Sequence, residues 1–173
     1  MYNKAFIHNL LPAHSRVWVY PSTRAFNQAE AAAVSERIQQ FVKNWTAHKL
    51  QVAGDGALLY NRFVVLMADT SEVEVSGCSI DSSVHFIRSL AADFHTDFFD
   101  RWNMTYEQDG EVLSCGREEF ERLVEEGVIT DETPVFNNLI QTKAELESKW
   151  RIPFKNSWHK NLPPLAGAFT GLL

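Results

Sequence analysis

Cysteine is scarce in this sequence: Cys78 and Cys115 are the only two among 173 residues. A single bridge would do little for a chain of this length. No disulfide framework is implied, and the expected compartment is the cytoplasm, with both thiols reduced. Glycine and proline number only 8 and 6, which excludes collagen-like and low-complexity chains. No run of about 18 consecutive apolar residues exists, so no membrane span is expected. The apolar stretch near the start is broken by His8 and Asn9 and is too short for the core of a secretory signal. Positive charge is in deficit, with 16 Lys and Arg against 22 Asp and Glu, for a net charge of −6. Nucleic acid and anionic membranes both need a cationic face, so neither is an expected partner.

What is present is an ordinary globular composition, 45% hydrophobic and 22% charged. At about 150 residues per domain, the chain 1–173 reads as a single domain. It is long enough to bury roughly 70% of its extended surface without a metal or disulfide staple.

The hydrophobic pattern sets the element order. Arg16-Val-Trp-Val-Tyr-Pro21 alternates and reads as a strand ended by proline. Asn27-Gln-Ala-Glu30 fits a capping box, and Val34, Ile38, Phe41, Val42 and Trp45 then recur at helical spacing to near His48. Residues 51–60 read as a strand interrupted at Gly54 and Gly56, with Asn61-Arg62 as a tight turn. Phe63-Val-Val-Leu-Met-Ala68 has no polar face, which predicts a central strand covered on both sides. A second helix carries Val84, Ile87, Leu90, Ala91 and Phe94. Strands over 98–107 and 111–115 flank Asp109-Gly110, the strongest hairpin signal in the chain. A third helix presents Phe120, Leu123 and Val124 and stops at Gly127, residues 134–140 read as a strand, and Thr142-Lys-Ala-Glu145 opens a last helix.

This order predicts an α+β fold: a largely antiparallel sheet with helices, in ferredoxin-like βαββαβ order, plus a C-terminal β-α extension. A three-layer α/β sheet is the alternative, because the strand 63–68 reads as buried on both faces.

Several chemistries are missing from the motifs. There is no Gly-x4-Gly-Lys-Ser/Thr loop, and Gly54-Asp-Gly56 lacks both the third glycine and the following helix of a dinucleotide turn. There is no Cys-x2-Cys or His-Glu-x2-His, and the six histidines are scattered. No metal or cofactor is expected.

One segment is dense in chemistry. Residues 76–83, Ser76-Gly-Cys-Ser-Ile-Asp-Ser-Ser83, lie between a strand-like run and a helix. With Ser79 as N-cap, the free amides of the helix start would offer an anion site. Gly77 would let a backbone come close, and the helix dipole would favour a thiolate at Cys78. Asp81 opposes both, because its charge repels an anion and a thiolate alike. The candidate ligand residues are Ser76, Gly77, Ser79, Asp81 and Ser82, joined by Arg24, Asn137, Asn138 and Lys143. Cys78 is the candidate nucleophile. The Asn137-Asn138 pair inside an apolar strand needs hydrogen-bond partners, from a structural network or from a pocket. Trp158-His159 reads as the anchor of the tail.

Val75-Ser-Gly-Cys-Ser-Ile-Asp-Ser-Ser83, Phe99-Asp-Arg101, Val135-Phe-Asn-Asn-Leu-Ile140, Thr142-Lys-Ala-Glu-Leu146 and Ser157-Trp-His159 together carry a resemblance. Over nearly its whole length the chain resembles an uncharacterised family of Bacteroidetes-type bacteria whose members are often labelled "ABC transporter ATPase". Within that resemblance, Val75-Ser-Gly-Cys-Ser79 echoes the signature helix start of such ATPases. The resemblance draws attention to Cys78, Asp81, Asn137, Asn138 and Lys143 and assigns them no chemistry.

The functional expectation is a binding module with its pocket at the 76–83 helix start. It would take a small anionic or polar ligand or a partner peptide. An assembly subunit, and a thiol-dependent enzyme or redox-responsive protein using Cys78, are the alternatives.

Overall fold

Alternation over residues 16 to 21 produces strand β1 (Arg16–Pro21), the first element of a computed structural model that describes residues 10–71 and 77–162. Helix α1 (Gln28–Asn44) opens with the expected capping box: Glu30 N donates to Asn27 Oδ1 at 2.9 Å and Asn27 N donates to Glu30 Oε2 at 3.0 Å. It ends short of His48, because His48 and Lys49 take positive φ and turn the chain through a small hairpin, β2 (Thr46–Ala47) and β3 (Leu50–Gln51). Strands β4 (Gly54–Leu59) and β5 (Phe63–Ala68) follow. The β4 glycines serve close packing: a Cβ on Gly56 would stand 2.7 Å from Ile38 Cγ2 and 3.0 Å from Leu66 Cδ2, so α1 rests directly on the strand. The β4–β5 turn has its positive φ at Tyr60 and Asn61, 52° and 50°. That is one residue earlier than the expected Asn61-Arg62, and it leaves Arg62 at the root of β5.

β5 lies between β1 and β4 in an antiparallel sheet of order β1-β5-β4, and all six of its residues are buried. Its alternation divides the core. Val64, Leu66 and Ala68 face α1 and α2 (Gly77–Asp93), packing with Ile38, Trp45, Ile87 and Leu90. Phe63, Val65 and Met67 face Phe136, Leu146 and Trp150 of the C-terminal half. The double burial expected from the uninterrupted apolar run is therefore present. The second cover comes from the rest of the chain rather than from a further helical layer on a parallel sheet.

That C-terminal half comprises β6 (Met104–Gln108), β7 (Glu111–Cys115), α3 (Arg117–Glu125), β8 (Pro134–Phe136), α4 (Lys143–Lys149) and β9 (Arg151–Pro153), with the sheet order β7-β6-β8-β9, antiparallel throughout. Phe120 of α3 packs on Met104, Tyr106, Val135 and Phe154 as a third cluster. Arg62, only 6% exposed, joins the two sheets by donating to Ser22 O at 3.3 Å and to Ser114 Oγ at 2.6 Å.

The fold is α+β and the βαββαβ order is present, but β6 does not extend the first sheet. Two side-chain turns keep residues 97–103 out of a strand: Phe99 N donates to Asp97 Oδ1 at 2.7 Å and Trp102 N to Asp100 Oδ1 at 2.8 Å. The Asp109-Gly110 turn, both residues at positive φ, then pairs β6 with β7. Among the described residues, the outer side of β1 is met at its beginning by an Arg16–Thr142 bridge and a 2.9 Å bond from Val17 N to Gln141 O, and at its end by Asn103 Nδ2, which donates to Pro21 O. Beyond that bridge the sheet edge borders a hollow. Among the described residues, no helix is long and apolar enough to cross a membrane.

Candidate functional site

In the 76–83 segment Ser79 is not the helix cap. Ser76 lies outside the described residues, and Gly77 is already the first residue of α2. Ser79 is therefore inside the helix. It is 1% exposed, and its carbonyl accepts the indole N–H of Trp45 at 3.0 Å. Ser82 Oγ donates to the same carbonyl at 2.8 Å, and Ser83 Oγ donates to Ile80 O at 2.7 Å. Ser79, Ser83, Ile87 and Leu90 form the buried stripe of α2. The hydroxyls crowd this helix because small side chains let it lie close to Trp45 and the sheet. Gly77, Cys78, Asp81 and Ser82 face solvent.

Nor are the other expected ligand residues gathered there. Arg24 forms a two-pronged pair with Glu30, at 2.9 and 2.7 Å, and donates to Phe94 O. That places it at the C-terminal end of α2, about 24 Å along the helix from Gly77. The Arg24 guanidinium holds the Glu30 carboxyl at about 2, well below the usual range. Lys143 is buried and paired with Glu147 at 3.1 Å within α4. Asn137 N donates to Trp150 O at 2.7 Å, and Asn137 Oδ1 accepts from Leu139 N at 3.3 Å. Asn138 Oδ1 accepts from Trp150 Nε1 at 3.0 Å and its Nδ2 donates to Thr105 Oγ1 at 3.4 Å. The asparagine pair thus ends β8 early by giving its amides to the core.

The thiols differ in surroundings. Cys78 is exposed and Cys115 half-buried, both free. Burial, with Glu119 adding to it, pushes Cys115 up to about 11. His85 stands seven residues beyond Cys78, about 10 Å along the helix. Among the described residues no hydrogen bond joins Cys78 to a base.

The concave region lies elsewhere. Two adjoining hollows, of about 400 and 260 Å³, share Val19, Asn138 and Leu139 in their walls. The larger is closed by the 98–103 turns and by Trp158, His159 and Leu162. Of the six large apolar side chains exposed among the described residues, Phe99, Trp102 and Leu139 line it. Exposed apolar groups concentrated around one hollow are the usual signature of a binding surface. Asn138 is the expected ligand residue that the structure does place here.

His159 gives the hollow its chemistry. It is 4% exposed and stacked on Trp158 with ring centroids 4.0 Å apart. Burial pulls its imidazole down to about 4, so the ring is neutral at pH 7. Ser157 Oγ lies 3.0 Å from Phe154 O and 3.1 Å from His159 Nδ1, within hydrogen-bond reach of both. The tautomer of the neutral ring sets whether Nδ1 donates to Ser157 Oγ or accepts from it. The Trp158 indole N–H is buried and has no acceptor among the described residues.

Two signals in the sequence pointed to this region. The Asp97 and Asp100 spacing announces turns rather than a strand, and Ser157 two residues before His159 offers the ring a hydroxyl partner. No family model matches the chain, and no curated protein or solved structure matches it.

Proposed function

We propose that the protein is a soluble cytoplasmic binding module whose ligand occupies the hollow between the β1 edge, the 98–103 turns and the Trp158–Asn161 turn. The observation that carries this reading is the hollow walled by the exposed rings of Phe99 and Trp102, with the neutral, buried His159 and the buried Trp158 indole N–H, which has no acceptor among the described residues, beside it. A buried donor without a partner costs about 1–3 kcal/mol, and a ligand acceptor that reaches the Trp158 N–H recovers that. Phe99, Trp102 and Trp158 supply flat apolar walls, and Asn138 is held in place by Trp150 and Thr105. The ligand class is a polar molecule or peptide segment with an acceptor for the Trp158 N–H and an apolar part for the rings. Two free thiols support the cytoplasmic location. Thiol chemistry at Cys78 lacks a neighbouring base among the described residues, and an assembly role has no observation in its favour beyond the exposed rings that the hollow already uses.

A thermal-shift screen with small amides, amines, hydroxy acids and short peptides tests the reading. A ligand at a hundredfold excess over Kd stabilises the fold by about 2.7 kcal/mol. His159→Phe and Asn138→Ala should each remove the shift, while Ser82→Ala should keep it. A shift that survives both substitutions at the hollow would move the site elsewhere.

A further inference from the structure

The binding-module reading leaves open what the hollow holds, and the inference here rests on that reading. In β1, Arg16, Trp18 and Tyr20 pair with Ala68, Leu66 and Val64 of β5, and Val17 N points the other way, to Gln141 O. By the alternation of an antiparallel ladder, Val17, Val19 and Pro21 turn their main-chain groups outward. Pro21 has no N–H, and its carbonyl accepts from Asn103 Nδ2 at 3.2 Å. Gln141 N is turned to Glu145 Oε2 at 2.9 Å, so it does not return a bond to Val17 O. Val17 O, Val19 N and Val19 O are thus left without partners among the described residues, facing the slot between β1 and residues 138–141.

We propose that this slot binds an extended, acidic polypeptide segment of a partner protein, which adds a short antiparallel strand to the β1 edge. Three consecutive main-chain groups in the order acceptor, donor, acceptor match an extended main chain, which returns a donor, an acceptor and a donor. A rounded small molecule does not. The Arg16–Thr142 bridge and the Asn103 amide close the two ends, so the added strand spans about three residues.

The acidic character follows from the rim. Arg24, Arg37, Arg117, Arg122 and Arg151 each meet a carboxylate. Arg16, Arg88 and Arg101 meet none among the described residues. Arg16 lies over Trp18 at 5.1 Å and Arg88 over Phe99 at 5.5 Å, and Arg16 and Arg101 line the hollows. Asp97 and Asp100 turn their carboxylates to the amides of their own turns. In a chain of net charge −6, three cations without counter-ions around one open strand edge favour carboxylates on the incoming segment.

The test uses the full chain and a short fluorescein-labelled peptide alternating valine and glutamate. Without peptide, the Val19 amide should exchange with deuterium about tenfold faster than the Tyr20 amide of the same strand, and peptide should slow it. In fluorescence polarisation, N-methylation of one central amide should weaken binding about tenfold. The matching valine–lysine peptide should not bind, and Arg16→Gln with Arg101→Gln should weaken the glutamate peptide and flatten its salt dependence. A Val19 amide already protected in the free monomer overturns the proposal. So does protection that grows with protein concentration, which would assign the edge to a second copy. So does binding seen only after removal of residues 163–173, which would assign it to the chain's own end. Small-ligand shifts lost in His159→Phe without any peptide binding would keep the hollow as the site and reject the added strand alone.

Discussion

The indole N–H of Trp45 donates to the Ser79 carbonyl at 3.0 Å inside the core. This bond fastens the end of α1 to the first turns of α2 and accounts for the burial of its Ser79 and Ser83 side. Trp45→Phe removes the donor and part of a fully buried ring. It should lower stability by about 1–3 kcal/mol, measured as a shifted urea midpoint at unchanged slope.

Glycines in the two contested motifs should respond in opposite ways. At Gly56 an added methyl meets Ile38, Leu66 and Val42 at 3.0 Å or less. Gly56→Ala should therefore destabilise by about 1–3 kcal/mol as α1 is pushed from the sheet. At Gly77 nothing lies within 4 Å of the added carbon. Gly77→Ala should be neutral or stabilising by up to about 1 kcal/mol. Thermal melts of the two variants side by side check the pair.

Stability should fall on mild acidification through His159. Its imidazole takes a proton near pH 6.5 in the unfolded chain and only near pH 4 in the folded one. Across that window the unfolded state binds more protons, so stability drops as pH falls from about 6.5 to about 4 and levels off below. The full effect is on the order of 3 kcal/mol. Glu30, held near 2 by Arg24, loses its contribution only below the ordinary carboxylate range, so the two regions separate. Urea titrations at stepped pH should show the slope in the parent protein and not in His159→Phe.

Iodoacetamide should label the two thiols unequally in the native state. Cys78 is exposed, whereas Cys115 is half-buried and pushed up to about 11. At pH 8 mass spectrometry should find carbamidomethyl at Cys78 well before Cys115, and the two rates should converge in denaturant.

Local chemistry was legible in the chain. Asn27 and Glu30 cap a helix, and Asp109 and Gly110 turn a hairpin, because each acts on atoms within a few residues of itself. The apolar run of β5 announced burial on both faces for the same reason. The serines of α2 were ambiguous. A short hydroxyl side chain suits a cap, a ligand and a tight helix–sheet contact equally, and the choice was made by Trp45, more than thirty residues away. The asparagine pair was likewise read as needing partners, and Trp150 and Thr105 supplied them.

The sequence by itself determined the composition class, the four α-helices of the described residues, most of their strands and the α+β order, since periodicity and capping are short-range effects. Only the tertiary structure decided that β6 leaves the first sheet, that the β1 edge between Val17 and Pro21 stays open among the described residues, and that His159 and Asn138 line one hollow. The β1 edge depends on contacts across more than a hundred residues of chain, and β6 on its pairing with β7 and β8. There the balance lies between competing partners for the same main-chain groups, and no local pattern records it.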